Sequence, residues 1–215
     1  MIKLISFDLD DTLSDSTFDN LIWYTEIPKA FAKERNVSFD EAYKTVTEEY
    51  KNLWGKSKGN WRDAGFWLKH FGLQTTWEDL INILHKEIKH FEDVDEVLTV
   101  LSKKFTLVIV SNAERKFIDA KIKCGNLGKF FKKIYSASSD FNKKKKDAEV
   151  FQKVLFDFNI KPEEMVHIGD EEEYDVKVPK SIGIKAFLLC RKGDKPADFR
   201  NLREFTIALE KEVSS

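Results

Sequence analysis

The first strand of this chain runs directly into a cluster of acidic residues. An apolar run predicts a short, mostly buried strand over residues 2–7. Asp8, Asp10 and Asp11 follow it at once, with Thr12 next. Burying carboxylates at the end of a core strand is costly unless something pairs with them. The rest of the chain must therefore supply a cation, a lysine or backbone amides, unless this stretch is a solvated acidic turn.

Composition narrows the function class. A chain of 215 residues can hold one good-sized core, or a core with an insertion. The net charge of −1 gives no reason to expect a nucleic-acid partner. Apolar runs such as residues 107–110 are far too short to span a membrane. Cys124 and Cys190 lie far apart in apolar contexts, so we expect free core thiols and a cytoplasmic protein.

Strand and helix patterns alternate after residue 92. Short apolar runs, each followed by a helical pattern, argue for parallel crossover units and a sheet that is covered on both faces. We therefore predict an α/β fold with a Rossmann-like parallel sheet core, formed by residues 1–14 and 92–215. The predicted strands after the first cover residues 105–110, 134–135, 165–168 and 185–190.

Residues 15–91 interrupt this alternation and have only helical patterns. Helix starts are predicted at Ser38 and Thr76, each followed three residues later by an acidic residue. We predict an inserted α-helical domain, which would project from the carboxyl end of the first strand, where open parallel sheets bind ligands. Its tryptophans either pack a small bundle or face a substrate: Trp23, Trp54, Trp61, Trp67 and Trp77.

The ends of three predicted strands carry groups suited to phosphate chemistry. A carboxylate can attack phosphorus, and a second carboxylate can act as acid and then as base. Mg²⁺ prefers a few carboxylates together with water and substrate phosphate. A hydroxyl, a lysine and backbone amides can hold the phosphoryl oxygens. Asp8 and Asp10 follow the first of these strands, Ser111 and Asn112 follow the second, and Asp170 and Asp175 follow the third. The lysine run 143–146 lies between the second and the third.

Four stretches carry a resemblance to a known family: FDLDDTL at 7–13, VIVSN at 108–112, SSDFNKKKKDAEVF at 138–151 and HIGDEEEYD at 167–175. In this order they are similar to the four motifs of the haloacid dehalogenase (HAD) superfamily of hydrolases. The first motif is DxDxT and the fourth is GDxxxxD. The resemblance implies a phosphatase-type enzyme whose helical cap lies between the first and second motifs.

The resemblance also implies roles for the aspartates. Asp8 would be the nucleophile and would form an aspartyl-phosphate. Asp10 would protonate the leaving group and then activate water. Mg²⁺ would bind the Asp8 carboxylate, the Asp10 carbonyl and Asp170, with Asp175 supporting the metal directly or through water.

By the same resemblance, Ser111 would bond a phosphoryl oxygen, with help from the Asn112 amide. Aligning KKDAEVF on the family's KPDPEIF pattern puts Lys145 in the position of the phosphate-binding lysine. Lys146 then stands where proline is usual. Lys144 and Lys146 therefore stay open as alternatives to Lys145.

Four further polar residues receive smaller roles. We expect Asp11 to form a turn and Thr12 to bond locally within it. His167 is expected in the core rather than among the ligands. Glu171 either contacts a metal-bound water or faces solvent at a helix start, where negative charge is favoured.

The sequence thus predicts a Mg²⁺-dependent phosphatase that hydrolyses a small phosphomonoester. A phosphomutase of the same superfamily is one alternative, and a non-catalytic binding protein that keeps the fold is another. Dehalogenation is disfavoured because displacing a halide does not need the acid and base that Asp10 supplies. We expect no nucleic-acid or membrane partner and a monomer or homodimer; the motifs do not identify the substrate.

Overall fold

The computed structural model describes residues 1–53 and 62–213 of the chain, so Trp54 and Trp61 lie outside the described residues. A single parallel sheet has the strand order β3-β2-β1-β4-β5, which confirms the predicted Rossmann-like α/β fold. The strands are β1 Leu4–Phe7, β2 Thr106–Ser111, β3 Phe131–Ser136, β4 Met165–Gly169 and β5 Lys185–Leu188.

Strand β1 is buried along its whole length because helices cover both faces of the sheet. Successive side chains of a strand point to opposite faces. Leu4 packs in a cluster with Val150, whereas Ile5 packs on the other face in a cluster with Leu98 and Phe205. The helices of the core are α6 Val94–Leu101, α7 Arg115–Cys124, α8 Ala137–Phe141, α9 Ala148–Phe158, α10 Val178–Ser181 and α11 Leu202–Val213.

Residues 15–91, called here the helical segment, contain no strand in their described part. Both predicted helix starts are present: the Ser38 hydroxyl accepts from the Glu41 amide at 3.2 Å, and Thr76 forms a reciprocal capping box with Asp79. A π-helical turn, Ile22–Glu26, joins the first two helices. The α-helices are α1 Thr17–Leu21, α2 Ile27–Arg35, α3 Phe39–Leu53, α4 Ala64–His70 and α5 Trp77–Leu84.

Two short helical elements follow strands β3 and β4. Helix α8 begins directly after β3, because the Ser136 hydroxyl caps it by accepting from the Ser139 amide at 2.9 Å. After β4, a π-helical turn, Glu172–Lys177, is followed by the short α10. That turn places Asp175 in the buried interior of the fold.

Composition-based expectations have mixed outcomes. Cys124 and Cys190 are both free, but only Cys190 is buried; Cys124 is exposed at the last turn of α7 rather than in the core. Within the described ranges, no helix combines the length and apolar character that crossing a bilayer requires.

The sheet order places the predicted chemistry at one edge. Strand β1 lies between β2 and β4, so the carboxyl ends of these three strands are neighbours. The two connections to the helical segment also run side by side here. The Asp15 amide donates to the Lys89 carbonyl at 3.1 Å, and the Phe91 amide donates to the Leu13 carbonyl at 3.1 Å.

Candidate active site

A buried lysine joins two of the predicted aspartates. Asp8 follows β1 and is only 5% exposed. The Lys146 ammonium contacts the carboxylates of both Asp8 and Asp175, and the lysine side chain is 0% exposed. It also donates to the Val110 carbonyl at 3.0 Å. Lys146 is therefore anchored beneath the site by two ion pairs and a backbone contact.

Lys145, the lysine chosen by alignment, lines a cavity that Asp8 also lines, but the partner of its ammonium is not Asp8. Its ammonium pairs with Glu171 and lies 4.8 Å from the centre of the Tyr174 ring. The Lys146 amide donates to the Asn112 side-chain oxygen at 2.6 Å, a bond that proline could not make. This bond requires a residue other than proline at position 146, and Lys146 is the lysine that contacts Asp8. The phosphate contact predicted for Lys145 stays a prediction.

A chain of buried polar contacts holds Asp175. His167 lies 2.6 Å from the Ser6 hydroxyl through Nδ1 and 2.8 Å from Asp175 Oδ1 through Nε2. The Glu171 amide donates to the other Asp175 oxygen at 2.9 Å. His167 is fully buried, as expected of a core residue. This core histidine also fixes the orientation of a carboxylate in the candidate site.

The glycine of the GDxxxxD stretch is explained by the same carboxylate. A β-carbon on Gly169 would lie 2.3 Å from Asp175 Cγ and 2.5 Å from Oδ2. These separations are far below a van der Waals contact. Only glycine at this position leaves room for the Asp175 carboxylate.

Three carboxylates, those of Asp8, Asp170 and Asp175, lie around the single ammonium group of Lys146. Burial raises the pKa of Asp8 well above its usual range, although Lys146 opposes this effect. Burial and the nearby Asp175 and Asp11 raise the pKa of Asp170 to about 7. Burial acts to raise the pKa of Asp175 as well, but Lys146 and His167 bring it below the usual range. The site would accommodate another cation.

The donor set fits Mg²⁺. Carboxylate oxygens of Asp8, Asp170 and Asp175 all lie within 4.8 Å of one another. Oxygen ligands of this kind are those that Mg²⁺ takes in proteins. The fourth predicted metal residue, Asp10, was expected to contribute its carbonyl, and its carboxylate is not part of this cluster.

The Asp10 carboxylate lies on the side of the helical segment. Its Oδ1 atom is 2.5 Å from the Lys121 ammonium, which also contacts Asp19 of α1. Lys121 is fully buried, whereas the side chains of Asp10 and Asp19 are 32% and 19% exposed. The two aspartates of the first motif therefore have different lysine partners.

Ser111 and Asn112 lie at the end of β2. The Ser111 hydroxyl is buried and accepts from the Ala113 amide at 3.0 Å. Asn112 bonds Lys146 through its oxygen and donates to Glu171 at 2.8 Å through its nitrogen. Asn112 thus ties together the two loops that carry Lys146 and Glu171, and the predicted phosphate contacts of both residues stay predictions.

Two adjoining cavities open beside these groups. The smaller, of about 120 Å³, is lined by Asp8, Asp170 and Asn112 among others. The larger, of about 210 Å³, is called here the aromatic cleft. Both are lined by Asp10 and Arg62, so the two cavities meet at these side chains. The aromatic cleft is lined by Asp10, Ser16, Asp19, Trp23, Tyr24, Tyr50, Arg62, Trp67, Ala113, Glu114 and Phe117.

Of the three described tryptophans of the helical segment, two combine packing with a place in the cleft wall. Trp67 is 1% exposed and packs in the core cluster, yet it also lines the aromatic cleft. Trp23 stacks on Phe117 of the core at 5.4 Å and lines the same cleft. Trp77 contacts Phe117 at 4.8 Å but is not part of the cleft wall.

Sequence reasoning missed Arg62, Lys121 and Asp19. Arg62 has no motif around it, and neither has Asp19. Lys121 had a readable signal, because it occupies an apolar-face position of α7 beside the buried Ile118 and Ile122. A lysine inside such a stripe must find buried anionic partners.

The predictions for Asp11 and Thr12, in the turn after β1, have different outcomes. Asp11 has a positive φ of 52°, which suits the turn-forming role predicted for it. The Thr12 hydroxyl is buried and has no hydrogen-bond partner among the described residues, so its predicted local bond is absent. The turn is held instead by Arg191, whose Nε donates to the Thr12 carbonyl at 2.8 Å.

Known proteins resemble this chain over most of its length. A model of the haloacid dehalogenase-like hydrolase family matches residues 5–189. Glyceraldehyde 3-phosphate phosphatase of Pyrococcus furiosus is 29% identical over 195 residues, covering 86% of this chain and 79% of that protein. GMP/IMP nucleotidase YrfG of Escherichia coli is 23% identical over 175 residues, covering 80% of this chain and 75% of that protein.

A solved structure agrees with the same assignment. The crystal structure of a HAD phosphatase from Thermococcus onnurineus has a TM-score of 0.83 and 25% identity, covering 97% of this chain and 98% of that chain. Because the family model spans the strands that carry Asp8, Ser111 and Asp170, the chain belongs to the haloacid dehalogenase-like hydrolases.

Proposed function

We propose that this hydrolase is a Mg²⁺-dependent phosphatase that cleaves a small phosphomonoester through an aspartyl-phosphate on Asp8. One observation carries the proposal. Asp8 lies in a carboxylate cluster suited to a divalent cation and lines the smaller cavity. Asp10 lines both the smaller cavity and the aromatic cleft. A phosphate in the smaller cavity would place its organic group in the cleft.

In the first step, a carboxylate oxygen of Asp8 attacks phosphorus. A bond forms between Asp8 and phosphorus, and the bond from phosphorus to the leaving-group oxygen breaks. Asp10 donates its proton to that oxygen, so the organic product leaves as an alcohol. The location of Asp10 at the junction of the two cavities supports this role.

In the second step, Asp10 acts as a base. It removes a proton from a water molecule, whose oxygen attacks the phosphorus atom of the aspartyl-phosphate. The bond between phosphorus and the Asp8 oxygen breaks, which releases inorganic phosphate and regenerates both carboxyl groups. The phosphoryl group has been transferred to water, and Asp10 is again protonated.

The remaining site residues are proposed to bind the metal ion, orient carboxylates or contact the phosphate. Asp8 and Asp170 would hold Mg²⁺, with Asp175 as support, and the ion would neutralise negative charge on the phosphoryl oxygens. Lys146 pairs with the Asp8 and Asp175 carboxylates and orients both of them. Ser111 and the Asn112 amide are proposed phosphate contacts.

The helical segment is proposed to act as a cap domain over residues 15–91. It supplies Trp23, Tyr50 and Trp67 to the aromatic cleft, and it supplies Arg62 at the junction with the smaller cavity. Aromatic walls favour a substrate whose organic group presents an apolar or planar face. A cytoplasmic location and a monomeric or homodimeric state stay predictions.

Relatives support phosphate ester hydrolysis over halide displacement. The proteins named above are described as acting on glyceraldehyde 3-phosphate and on GMP or IMP. An acid and base at Asp10 also suits an alkoxide leaving group, since a halide needs no proton. The substrates named for these two proteins differ in size, so they do not identify the substrate of this one.

The test is phosphate release by the purified protein from a panel of phosphomonoesters. The panel should contain p-nitrophenyl phosphate, sugar phosphates, triose phosphates and purine nucleotides. We expect release with Mg²⁺ and none with excess EDTA. Phosphoryl transfer between sugar positions without net phosphate release would identify a phosphomutase. No turnover of any ester would favour a binding protein.

A further inference from the structure

We propose that Lys121 is a positioning residue for Asp10. It holds the Asp10 carboxylate toward the aromatic cleft, and Asp19 of the helical segment completes its charge compensation. The inference rests on the proposed function, in which Asp10 delivers a proton to the leaving group. The inference explains which residue holds the Asp10 carboxylate on the side of the site where the leaving group would lie.

The Lys121 ammonium is fully removed from water. Its side chain is 0% exposed, and its two carboxylate partners come from separate parts of the chain. Asp10 belongs to the turn after β1, whereas Asp19 belongs to α1 of the helical segment. Asp10 and Asp19 are the two carboxylates that contact the ammonium, and together they compensate its buried charge in the folded state.

Stability alone does not explain a lysine at this position. Its neighbours on the same face of α7 are Phe117, Ile118 and Ile122, all buried. Replacing a buried ion pair with packed apolar side chains is often neutral or stabilising, because desolvating the charges is costly. An apolar residue would extend this stripe without that cost. The lysine is better explained by what it does to Asp10.

The contact separates the two aspartates of the first motif. Asp8 lies with Asp170 and Asp175 in the carboxylate cluster, and the Asp10 carboxylate does not. Lys121 holds Asp10 on the side of the cleft at 2.5 Å. Without this ammonium, a cation held by the cluster would attract the Asp10 carboxylate away from the leaving group.

Lys121 also makes the orientation of Asp10 depend on the helical segment. Asp19 reaches the ammonium only when α1 is packed against α7, where the Phe18 and Phe117 rings lie 5.9 Å apart. Asp10 and Asp19 both line the aromatic cleft. The lysine thus links cap packing to the placement of the proton donor.

The test compares leaving groups. In Lys121→Met, kcat/KM reports on the first phosphoryl transfer, in which Asp10 acts as the acid. p-Nitrophenolate leaves without help, so we expect a loss of about threefold with p-nitrophenyl phosphate. For phenyl and alkyl phosphates we expect a loss of about 100-fold or more, which is the scale of general acid catalysis. Asp10→Asn should show the same ordering.

Lys123→Met is the matched control, because this lysine lies on the exposed side of α7. We expect it to leave kcat/KM unchanged for every ester. An equal loss for all leaving groups in Lys121→Met would overturn the inference and leave the proposed function intact. Absence of phosphate release by the unmodified protein would overturn both.

A double variant separates a loss of positioning from a loss of stability. Lys121→Met leaves two carboxylates facing each other with no cation, so it loses stability. Lys121→Met/Asp19→Asn removes one of these charges, and we expect its melting temperature to lie above that of the single variant. The dependence of kcat/KM on the leaving group should persist in the double variant. Recovery of the normal dependence there would contradict a positioning role for Lys121.

Discussion

The Lys146 ammonium contacts the Asp8 carboxylate inside the protein, with no part of the lysine side chain exposed to solvent. The preceding residue, Lys145, pairs with Glu171 at a partly exposed position. Two adjacent lysines therefore occupy very different environments. The buried one shares its charge between the proposed nucleophile and Asp175.

This difference predicts unequal effects of two matched substitutions. Lys146→Met should lower kcat/KM by about 100-fold or more and destabilise the fold by about 3–5 kcal/mol, because it strands buried carboxylates. Lys145→Met should lower kcat/KM by less than about tenfold and change stability by under about 1 kcal/mol. Steady-state kinetics and urea unfolding measure both. A larger kinetic loss in Lys145→Met would restore the alignment-based assignment.

The proposed roles of Asp8 and Asp10 predict different chemical states of the protein. Asp8→Asn should form no covalent phosphoenzyme, because the amide is a poor nucleophile. Asp10→Asn should still accept the phosphoryl group from p-nitrophenyl phosphate and then hydrolyse it slowly. Acid quenching followed by intact-protein mass spectrometry would detect an added phosphoryl group in Asp10→Asn alone.

Asp15→Asn is a control for this experiment, because the Asp15 carboxylate accepts from the Thr17 amide and lines neither cavity. It should behave as the unmodified protein does. Stable phosphorylation of Asp8→Asn at another residue would show that the nucleophile had been misassigned.

Much of the fold could be predicted because the parallel strands are buried on both faces. Such strands read as continuous apolar runs, and their ends mark where polar side chains emerge. Asp8 and Asp170 were placed by this rule together with the family motifs. The helix starts at Ser38 and Thr76 were readable because capping is a local interaction.

The parts that could not be predicted depend on contacts distant in sequence. Choosing between Lys145 and Lys146 required the bond from the Lys146 amide to Asn112, which lies 34 residues earlier. The two carboxylates that contact Lys121 are also distant in sequence: Asp10 lies 111 positions before it, and Asp19 lies 102 positions before it. No local pattern encodes such pairings, although a lysine in an apolar stripe was a signal that one existed.

The clearance at Gly169 predicts a severe effect of a single methyl group. In Gly169→Ala, the new β-carbon would meet the Asp175 carboxylate at 2.3 Å. We expect a loss of about 2 kcal/mol or more in unfolding free energy and at least about a tenfold loss in kcat, because Asp175 must move. Thermal unfolding and phosphate release measure the two effects.

Gly128→Ala is a suitable comparison, since its β-carbon would meet only Ile122 at an ordinary 3.4 Å. Its activity should match that of the unmodified protein. Equal behaviour of the two alanine variants would mean that Asp175 can relocate freely.

The aromatic cleft predicts selective binding defects. Trp23→Leu removes a ring that stacks on Phe117 while keeping apolar bulk. We expect KM to rise about tenfold for a ring-bearing ester such as p-nitrophenyl phosphate, since an aromatic contact is worth about 0.5–1.5 kcal/mol beyond its area. For glycerol phosphate the change should be under about twofold. Trp77→Leu, which touches Phe117 outside the cleft wall, should not discriminate between the esters.

A cluster away from the site predicts a pH-dependent contribution to stability. The Asp157 carboxylate accepts from Lys133 at 2.7 Å, from Tyr135 at 2.8 Å and from Lys153. The hydrogen bonds from the two lysines hold the pKa of Asp157 well below its usual range. Its stabilising effect is therefore present above the unfolded pKa of about 3.9 and is lost as the pH falls toward the folded value.

Asp157→Asn should consequently lower the unfolding free energy by an amount on the order of 1 kcal/mol at neutral pH, as surface ion pairs do. The difference from the unmodified protein should shrink as the pH falls from about 5 to about 2. Urea unfolding across this range measures it, with Asp95→Asn as a control because that side chain is 71% exposed. A difference that stays constant or grows in acid would contradict the lowered pKa of Asp157.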